Sequence, residues 1–395
     1  GISMKMRLGA FFLLSAGAAP EEFEKGFAGQ NPNYYQQGLK DVSRLLTQVE
    51  DLGFDFCAFS EHHFHLEGLE LSNNPVLLGT WAAMQTKRIR IGQMGNVLPA
   101  RNPLLLAEDL AMLDHFSEGR MCAGFARGYQ ARHVMTIGQK MNATWTAAND
   151  PDFSEHDRVN RELFNEHYEI IRKAWGNSLF KHDGEHWQLP PAGIKWDHPA
   201  TQDMAPGMVD ASGHLAQVGI APKTLQDPDA IEIFIPFTMS AETIEWSAQE
   251  GITPIIFTPI ADHAKASVNL YHRAANSAGR KIARGEGLGH FREIVVADTD
   301  EQAQAIMQRG LGYIWPRWHD WFGFNEALRH PGEEGTIPNS ADTIRDRGYS
   351  ICGSVDTVAK SIQYSAFNSS NIEMFRQVVP HLVALANNDA KGITD

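Results

Sequence analysis

The sequence predicts an α/β fold: a (β/α)8 TIM barrel with long insertions after its fourth and seventh strands. Three observations point there. Short apolar runs alternate with amphipathic helical stretches, a pattern that builds parallel strands joined by helical crossovers. The chain has 395 residues, a length that one such barrel reaches. No G-x-G-x-x-G follows the first strand, so the fingerprint of an open dinucleotide-binding sheet is missing; Gly285, Gly287 and Gly289 precede a strand and read as a loop.

The elements follow in order. Met6 to Phe12 is a short apolar run and reads as a buried first strand. A polar stretch over 15–33 leads to a helix over 36–52, where Leu39, Val42, Leu45, Leu46, Val49 and Leu52 recur at three- and four-residue steps. Gly53 ends that helix, and Phe54 to Phe59 is the second strand. Asn74-Pro75 and Asn102-Pro103 each pair a capping side chain with a proline at the first helical position, so each opens a helix. Between them Ile89 to Met94 is the third strand, and Arg120 to Ala126 the fourth. A helix over 158–175 precedes an irregular segment, about 180–230, rich in Pro, Gly, Asp and His. Then come strand 231–237, helix 241–249, strand 253–257, helix 262–278, strand 290–297 and a helix from Glu301. A second irregular segment covers 316–349. Long loops in a compact barrel tend to be lids or site walls. No internal repeat or low-complexity stretch occurs, and residues 1–395 read as a single domain.

Composition removes several functions. The net charge is −14 with no long basic run, which argues against nucleic acid or an anionic membrane as partner. Cys57, Cys122 and Cys352 are far apart and odd in number, so neither a disulfide framework nor a cysteine zinc site is indicated. No apolar stretch approaches ~18 residues, the length a membrane-spanning helix needs. Lys5 and Arg7 before Leu8 to Leu14 trace the outline of a signal peptide, but the run is as short as such a segment gets. A retained strand in a cytoplasmic protein is the preferred reading.

In such a barrel the chemistry lies at the C-terminal ends of the strands. Strand two ends in Ser60-Glu61-His62-His63-Phe64-His65. That cluster has three readings. Metal binding is one, although neighbouring histidines on a strand point to opposite faces and no H-E-x-x-H is present. Helix packing at the rim is the second. The third is catalysis, with an imidazole exchanging a proton with an oxygen near neutral pH. Strand four ends in Arg127 and strand five in Ser240, just before a helix. Separately these are a rim salt bridge and an N-cap; together they suit a phosphate.

These stretches resemble the bacterial luciferase-like flavin monooxygenases. The resemblance is carried by MRLGAFF (6–12), EDLGFDFCAFSEHHF (50–64), NVLPARNPLLLAEDLAMLDHFSEGRMCAGFARG (96–128) and MSAETIEWSAQEG (239–251), over about residues 6–300. It implies a barrel that takes reduced FMN from a separate NAD(P)H-dependent flavin reductase. Oxygen then adds at the flavin C4a carbon, and the C4a-peroxyflavin puts one oxygen atom of O2 into a small organic substrate, apolar or carbonyl. By the same resemblance His62 is catalytic. Glu61, Met94, Gly95, Ala126, Arg127, Met239, Ser240 and Thr243 are cofactor-binding positions, with Met94-Gly95 a site for a non-proline cis peptide. No metal is implied. A homodimer through the helices after strands two and three is expected, and segments 180–230 and 316–349 are candidates to shield the site from water.

The sequence also departs from the family. Ala126 stands where a reactive cysteine can occur, and Met239 replaces a carboxylate, so light emission is not expected. Residues 353–358 look like the start of the last helix and 375–386 like a closing one. The eighth strand expected between them, at 366–371, is polar and short or missing. Three alternatives remain: an F420-dependent oxidoreductase on the same barrel, a non-catalytic flavin-binding protein, and a metal-dependent hydrolase using Glu61, His62, His63 and His65. Trp315, Trp318, Trp321 and Phe322 indicate either an apolar substrate or ordinary packing under a loop.

Overall fold

The computed structural model describes residues 7–364. The predicted start of strand one at Met6, the polar 366–371 and the closing helix at 375–386 lie outside the described residues. Among the described residues these main parallel strands carry the fold: β1 (Gly9–Phe12), β2 (Phe56–Phe59), β3 (Arg90–Gln93), β4 (Ala123–Ala126), β5 (Ile233–Thr238), β6 (Thr253–Ile256), β7 (in two pieces, Gly289–His290 and Glu293–Val296) and β8 (Ser350–Gly353). The principal helices alternate with them: α1 (Pro32–Asp51), α2 (Pro75–Ala83), α3 (Pro103–Phe116), α4 (Phe153–Gly176), α5 (Ala241–Glu250), α6 (Ala261–Ser277), α7 (Asp300–Arg309) and α8 (Val355–Tyr364). No helix among the described residues is long and apolar enough to cross a membrane.

Local chemistry sets the helix starts. Asn74 Oδ1 accepts from the Leu77 amide at 2.9 Å, and Asn102 Oδ1 from Leu104 and Leu105 at 3.0 and 3.2 Å. Each such cap is worth about 1 kcal/mol. The same device, Asn31 before Pro32, begins α1 four residues ahead of the apolar pattern at 36. Strand faces alternate as the pleat requires. Cys57 and Phe59 of β2 face the helices, with Ile91, Ala123 and Phe125. Ala58 faces the other way and joins Met94, Cys122, Phe234 and Ile255 in a separate inner cluster.

Among the described residues the closed barrel is not found. Strand neighbours follow chain order, but the ladders form separate sheets: β1-β2-β3, then Asn96–Val97 with β4, β5, β6 and the first piece of β7, then the second piece of β7 with β8. A lone bridge, Ile91 to Met121, links β3 to β4. Among the described residues no ladder joins β8 to β1. Two irregularities break the pairing. Phe237, at a φ of 53°, sits in a register shift between β5 and β6. Phe291-Arg292 interrupts β7, whose halves pair with different neighbours. The eighth strand is also not where the sequence reading sought it. Ser350–Gly353 pairs with Glu293–Val296 at the end of the stretch read as irregular. Four residues opening on a serine give too little pattern to recognise.

The end of the segment 180–230, residues 223–226, is anchored away from the strand ends that carry the candidate site. Gln226 Nε2 donates to the Met121 carbonyl and to Asp114, and Arg90 donates to Gln226 Oε1. Lys223 Nζ donates to the carbonyls of Ala174 and Asn177. Arg90 and Met121 mark the N-terminal ends of β3 and β4, so this part of the insertion is anchored at the opposite end of the sheet. The segment beyond α7 lies at the same end of the strands as the candidate site. It turns through a π-helical stretch, Trp315–His319, and packs on the loops after β2 and β4.

Candidate active site

The loop after β2 is pinned by Ser72, whose hydroxyl donates to the Ser60 carbonyl (2.6 Å) and whose carbonyl accepts from the His62 amide (2.8 Å). Glu61 then turns inward and is buried. Its Oε1 accepts from the Val97 amide at 2.8 Å; its Oε2 accepts from Arg101 at 3.0 Å and lies 2.8 Å from His63 Nε2. Burial opposes the charge on Glu61, but the His63 hydrogen bond and the nearby Arg101 outweigh it and hold the carboxyl down at about 2. Glu61 therefore ties the β2 loop to the turn after β3.

His62 points into a second, deeper cluster around Glu70, a fully buried carboxylate. Glu70 Oε2 accepts from Gln130 Nε2 at 2.9 Å, and Oε1 from the Tyr129 hydroxyl at 3.2 Å. Three imidazoles surround it: His62 Nδ1 at 3.4 Å, His65 Nε2 at 3.5 Å and His319 Nε2 at 3.7 Å. Burial pulls the pKa of His62 down to about 3, and those of His65 and His319 to about 4, so all three are neutral at pH 7. No described residue hydrogen-bonds His62 Nε2. The ring lines a cavity of about 160 Å³ with Gln30, Phe64, Glu70 and Asn73.

Aromatic side chains roof this cluster. Trp318 meets His65 edge-on at 5.1 Å, Phe322 and Phe324 each lie 4.9 Å from Tyr129, and His319 stacks on Phe324. The tryptophans singled out in the sequence divide: Trp315 is buried and bonded to Asn325, whereas Trp321 is 70% exposed.

At the end of β4, Arg127 is engaged on one side. Its Nη2 donates to Asp157 Oδ1 at 2.8 Å and to the Asp157 carbonyl at 3.0 Å, while Nε donates to Asn160. Burial lowers its pKa and Asp157 opposes that shift. Asp157 Oδ2 also accepts from Arg161 at 2.9 Å, and Arg161 pairs with Glu242 in the first turn of α5. Ser240 caps that helix, its Oγ accepting from the Thr243 amide at 3.2 Å and donating to Thr243 Oγ1 at 2.8 Å. Both modest roles, the rim ion pair and the N-cap, are thus present. The arginine chain joins them into one surface, with two half-buried guanidiniums beside a helix N-terminus. Met239 is 52% exposed beside it. Ala126 is half-buried at the end of β4, and its amide region pairs with Val97.

The Met94–Gly95 peptide is cis. A Cβ on Gly95 would approach the Gly124 and Phe125 backbone at 3.0 Å, so a side chain there fits only if that backbone gives by a few tenths of an ångström.

Glu70, Tyr129, Gln130, His319 and Arg161 were missed by the sequence reading. Two of them carried a local signal: Glu70 is a carboxylate between Leu69 and Leu71, and Arg161 stands four residues after Asp157 on one helix. Two groups bring metal-ligating atoms within 4.8 Å of one another: Glu61, His63 and His133, and His62, His65 and Glu70. Protein donors already satisfy both carboxylates, Arg101 in the first and Gln130 in the second.

The family model of the luciferase-like monooxygenases matches residues 23–368. The chain is 24% identical to 3,6-diketocamphane 1,6-monooxygenase of Pseudomonas putida over 337 residues, 83% of this chain and 82% of that one. The solved oxygenating constituent of 3,6-diketocamphane monooxygenase from the same organism, in complex with FMN, superposes with a TM-score of 0.61 at 20% identity, covering 96% of this chain and 98% of the other. An F420-dependent secondary alcohol dehydrogenase shares the fold with a TM-score of 0.60 at 14% identity, over 96% and 99% of the two chains. The chain belongs to the luciferase-like monooxygenases, and it is an oxidoreductase enzyme on their parallel α/β fold.

Proposed function

We propose that this protein is the oxygenase of a two-component system, using reduced FMN from a separate NAD(P)H-dependent reductase to place one oxygen atom of O2 in a small organic substrate. The observation that carries this is a juxtaposition. A buried neutral imidazole with an unbonded nitrogen, His62, and a pair of guanidiniums beside a helix N-terminus, Arg127 and Arg161 at Ser240, lie at the same ends of the strands. A phosphate dianion suits the second feature. Bound reduced FMN supplies the activation of O2. Arg127, Arg161, Ser240 and Thr243 would hold its phosphate; Gly95, where a side chain would crowd the Gly124 and Phe125 backbone, and Met94 would border its ring, with Ala126 and Met239 beside them. Glu61 acts indirectly, fixing the loop that carries His62.

His62 hydrogen-bonds the oxygen in transfer. The aromatic roof of Trp318, Phe322 and Phe324 excludes water, which strengthens that bond. The cavity at His62 admits a compact substrate. Residues 1–395 act as one domain. The homodimer forms through α2 and α3, whose outward Leu77, Met84, Leu105, Met112 and Phe116 make an exposed apolar band.

The test is to mix the protein anaerobically with reduced FMN, then add oxygen and follow flavin absorbance. Reoxidation slower than that of free reduced FMN supports the oxygenase. Reoxidation at the free rate, together with tight F420 binding, would move the assignment to hydride transfer.

A further inference from the structure

We infer that Gln130 is a positioning residue that fixes the tautomer of His62, making Nδ1 an acceptor and placing the ring proton on Nε2. The inference deepens the role proposed above for His62, but its geometry stands independently of flavin. An ionised carboxylate only accepts hydrogen bonds, and an amide offers two N–H donors on one side and an acceptor on the other. Glu70 Oε2 is 2.9 Å from Gln130 Nε2, so the amide nitrogen must face the carboxylate. The reversed amide would set two acceptors against each other. The amide oxygen then lies 2.8 Å from His65 Nε2, which must carry a proton to donate to it. His65 Nδ1 is buried without a partner among the described residues, as a lone pair can be. The second amide hydrogen is directed at His62 Nδ1, 3.2 Å away. A proton on that nitrogen would oppose it. The one N–H of a neutral His62 is therefore on Nε2, the nitrogen no described residue engages.

The tautomer decides what His62 can do. With the proton on Nε2 the ring donates a hydrogen bond to an oxygen in front of it; with the proton on Nδ1 it could only accept one there. Gln130 is what prevents the second state. The charged and titratable groups around the ring are Glu61, His63, His65 and Glu70 from the β2 loop, Tyr129 beside Gln130, and His319 from the segment beyond α7. Of these, Glu70 Oε2 is 3.4 Å from Nδ1 and would draw the proton there if the amide were absent.

The experiment is two-bond proton–nitrogen NMR on the flavin-free full chain labelled with 15N-histidine. His62 is assigned by the signals lost in His62→Gln. The wild type should show the Nε2–H pattern between pH 5 and 8, and Gln130→Met should move the proton to Nδ1. An Nδ1–H pattern in the wild type overturns the inference whether or not the variant folds. So does a Gln130→Met protein whose His62 tautomer is unchanged. Product formation is not read, so failure of the oxygenase assignment would appear separately, in the reoxidation experiment.

Discussion

Replacing Arg127 with alanine separates the phosphate role from the structural one. A guanidinium has five N–H donors. In Arg127 the Nε and Nη2 donors are taken by Asn160 and Asp157, and the two on Nη1 have no protein acceptor among the described residues. A charge-assisted hydrogen bond is worth about 1.5–3 kcal/mol. At about 1.4 kcal/mol per tenfold, loss of one such bond weakens FMN roughly 10- to 150-fold. Riboflavin has no phosphate, so its affinity should stay within about twofold. The variant should fold, because Asp157 keeps Arg161 at 2.9 Å and Thr146 at 2.9 Å and is not left as an unpaired buried charge. The assay is flavin-fluorescence titration with FMN and with riboflavin at low and high salt. Wild-type FMN affinity should fall with salt, and the variant's should fall less. Equal weakening of FMN and riboflavin would refute the phosphate assignment.

Three further outcomes are expected. His62→Ala should keep the far-ultraviolet circular dichroism and the FMN affinity but lose oxygenated product; undiminished product would remove His62 from the reaction. Stability should drop in acid. His62, His65, His133 and His319 are held neutral with pKa values of about 3 to 4, below the ~6.5 of an unfolded chain. The unfolded chain therefore binds more protons, and stability present above that value is lost as pH falls toward 4, at about 1.4 kcal/mol per pH unit for each group. Glu61, held at about 2, adds a loss below the ~4.3 of an unfolded glutamate. A urea midpoint that does not move between pH 7 and 5 would contradict this. Leu105→Asp, on the exposed band of α3, should shift the sedimentation coefficient from dimer to monomer without loss of fold; a wild type that sediments as a monomer would end the homodimer proposal.

Sequence alone determined what depends on near neighbours. The strand and helix alternation is written in apolar spacing, and Asn74-Pro75 and Asn102-Pro103 mark helix starts because a cap spans only two or three residues. The stretch 113–120, within the block 96–128 that carries the family resemblance, showed its purpose only in the structure. Arg120 donates to Ser117, Thr86, Ile89 and Ala83 carbonyls, and Asp114 accepts from Gln226. Tertiary structure decided the rest. His62 stood out in the sequence, whereas the groups that set its chemistry did not. Gln130 is 68 residues away in the chain, and the Glu70 carboxylate is approached by His319 from near the other end. Closure also lay beyond the sequence, since strands of four residues carry too little pattern to show where ladders break. Nor could composition say at which end of the sheet the segment 180–230 would be anchored at residues 223–226. That was set by Gln226 and Lys223 finding carbonyls at the far ends of β4 and α4, contacts between residues that share no local pattern.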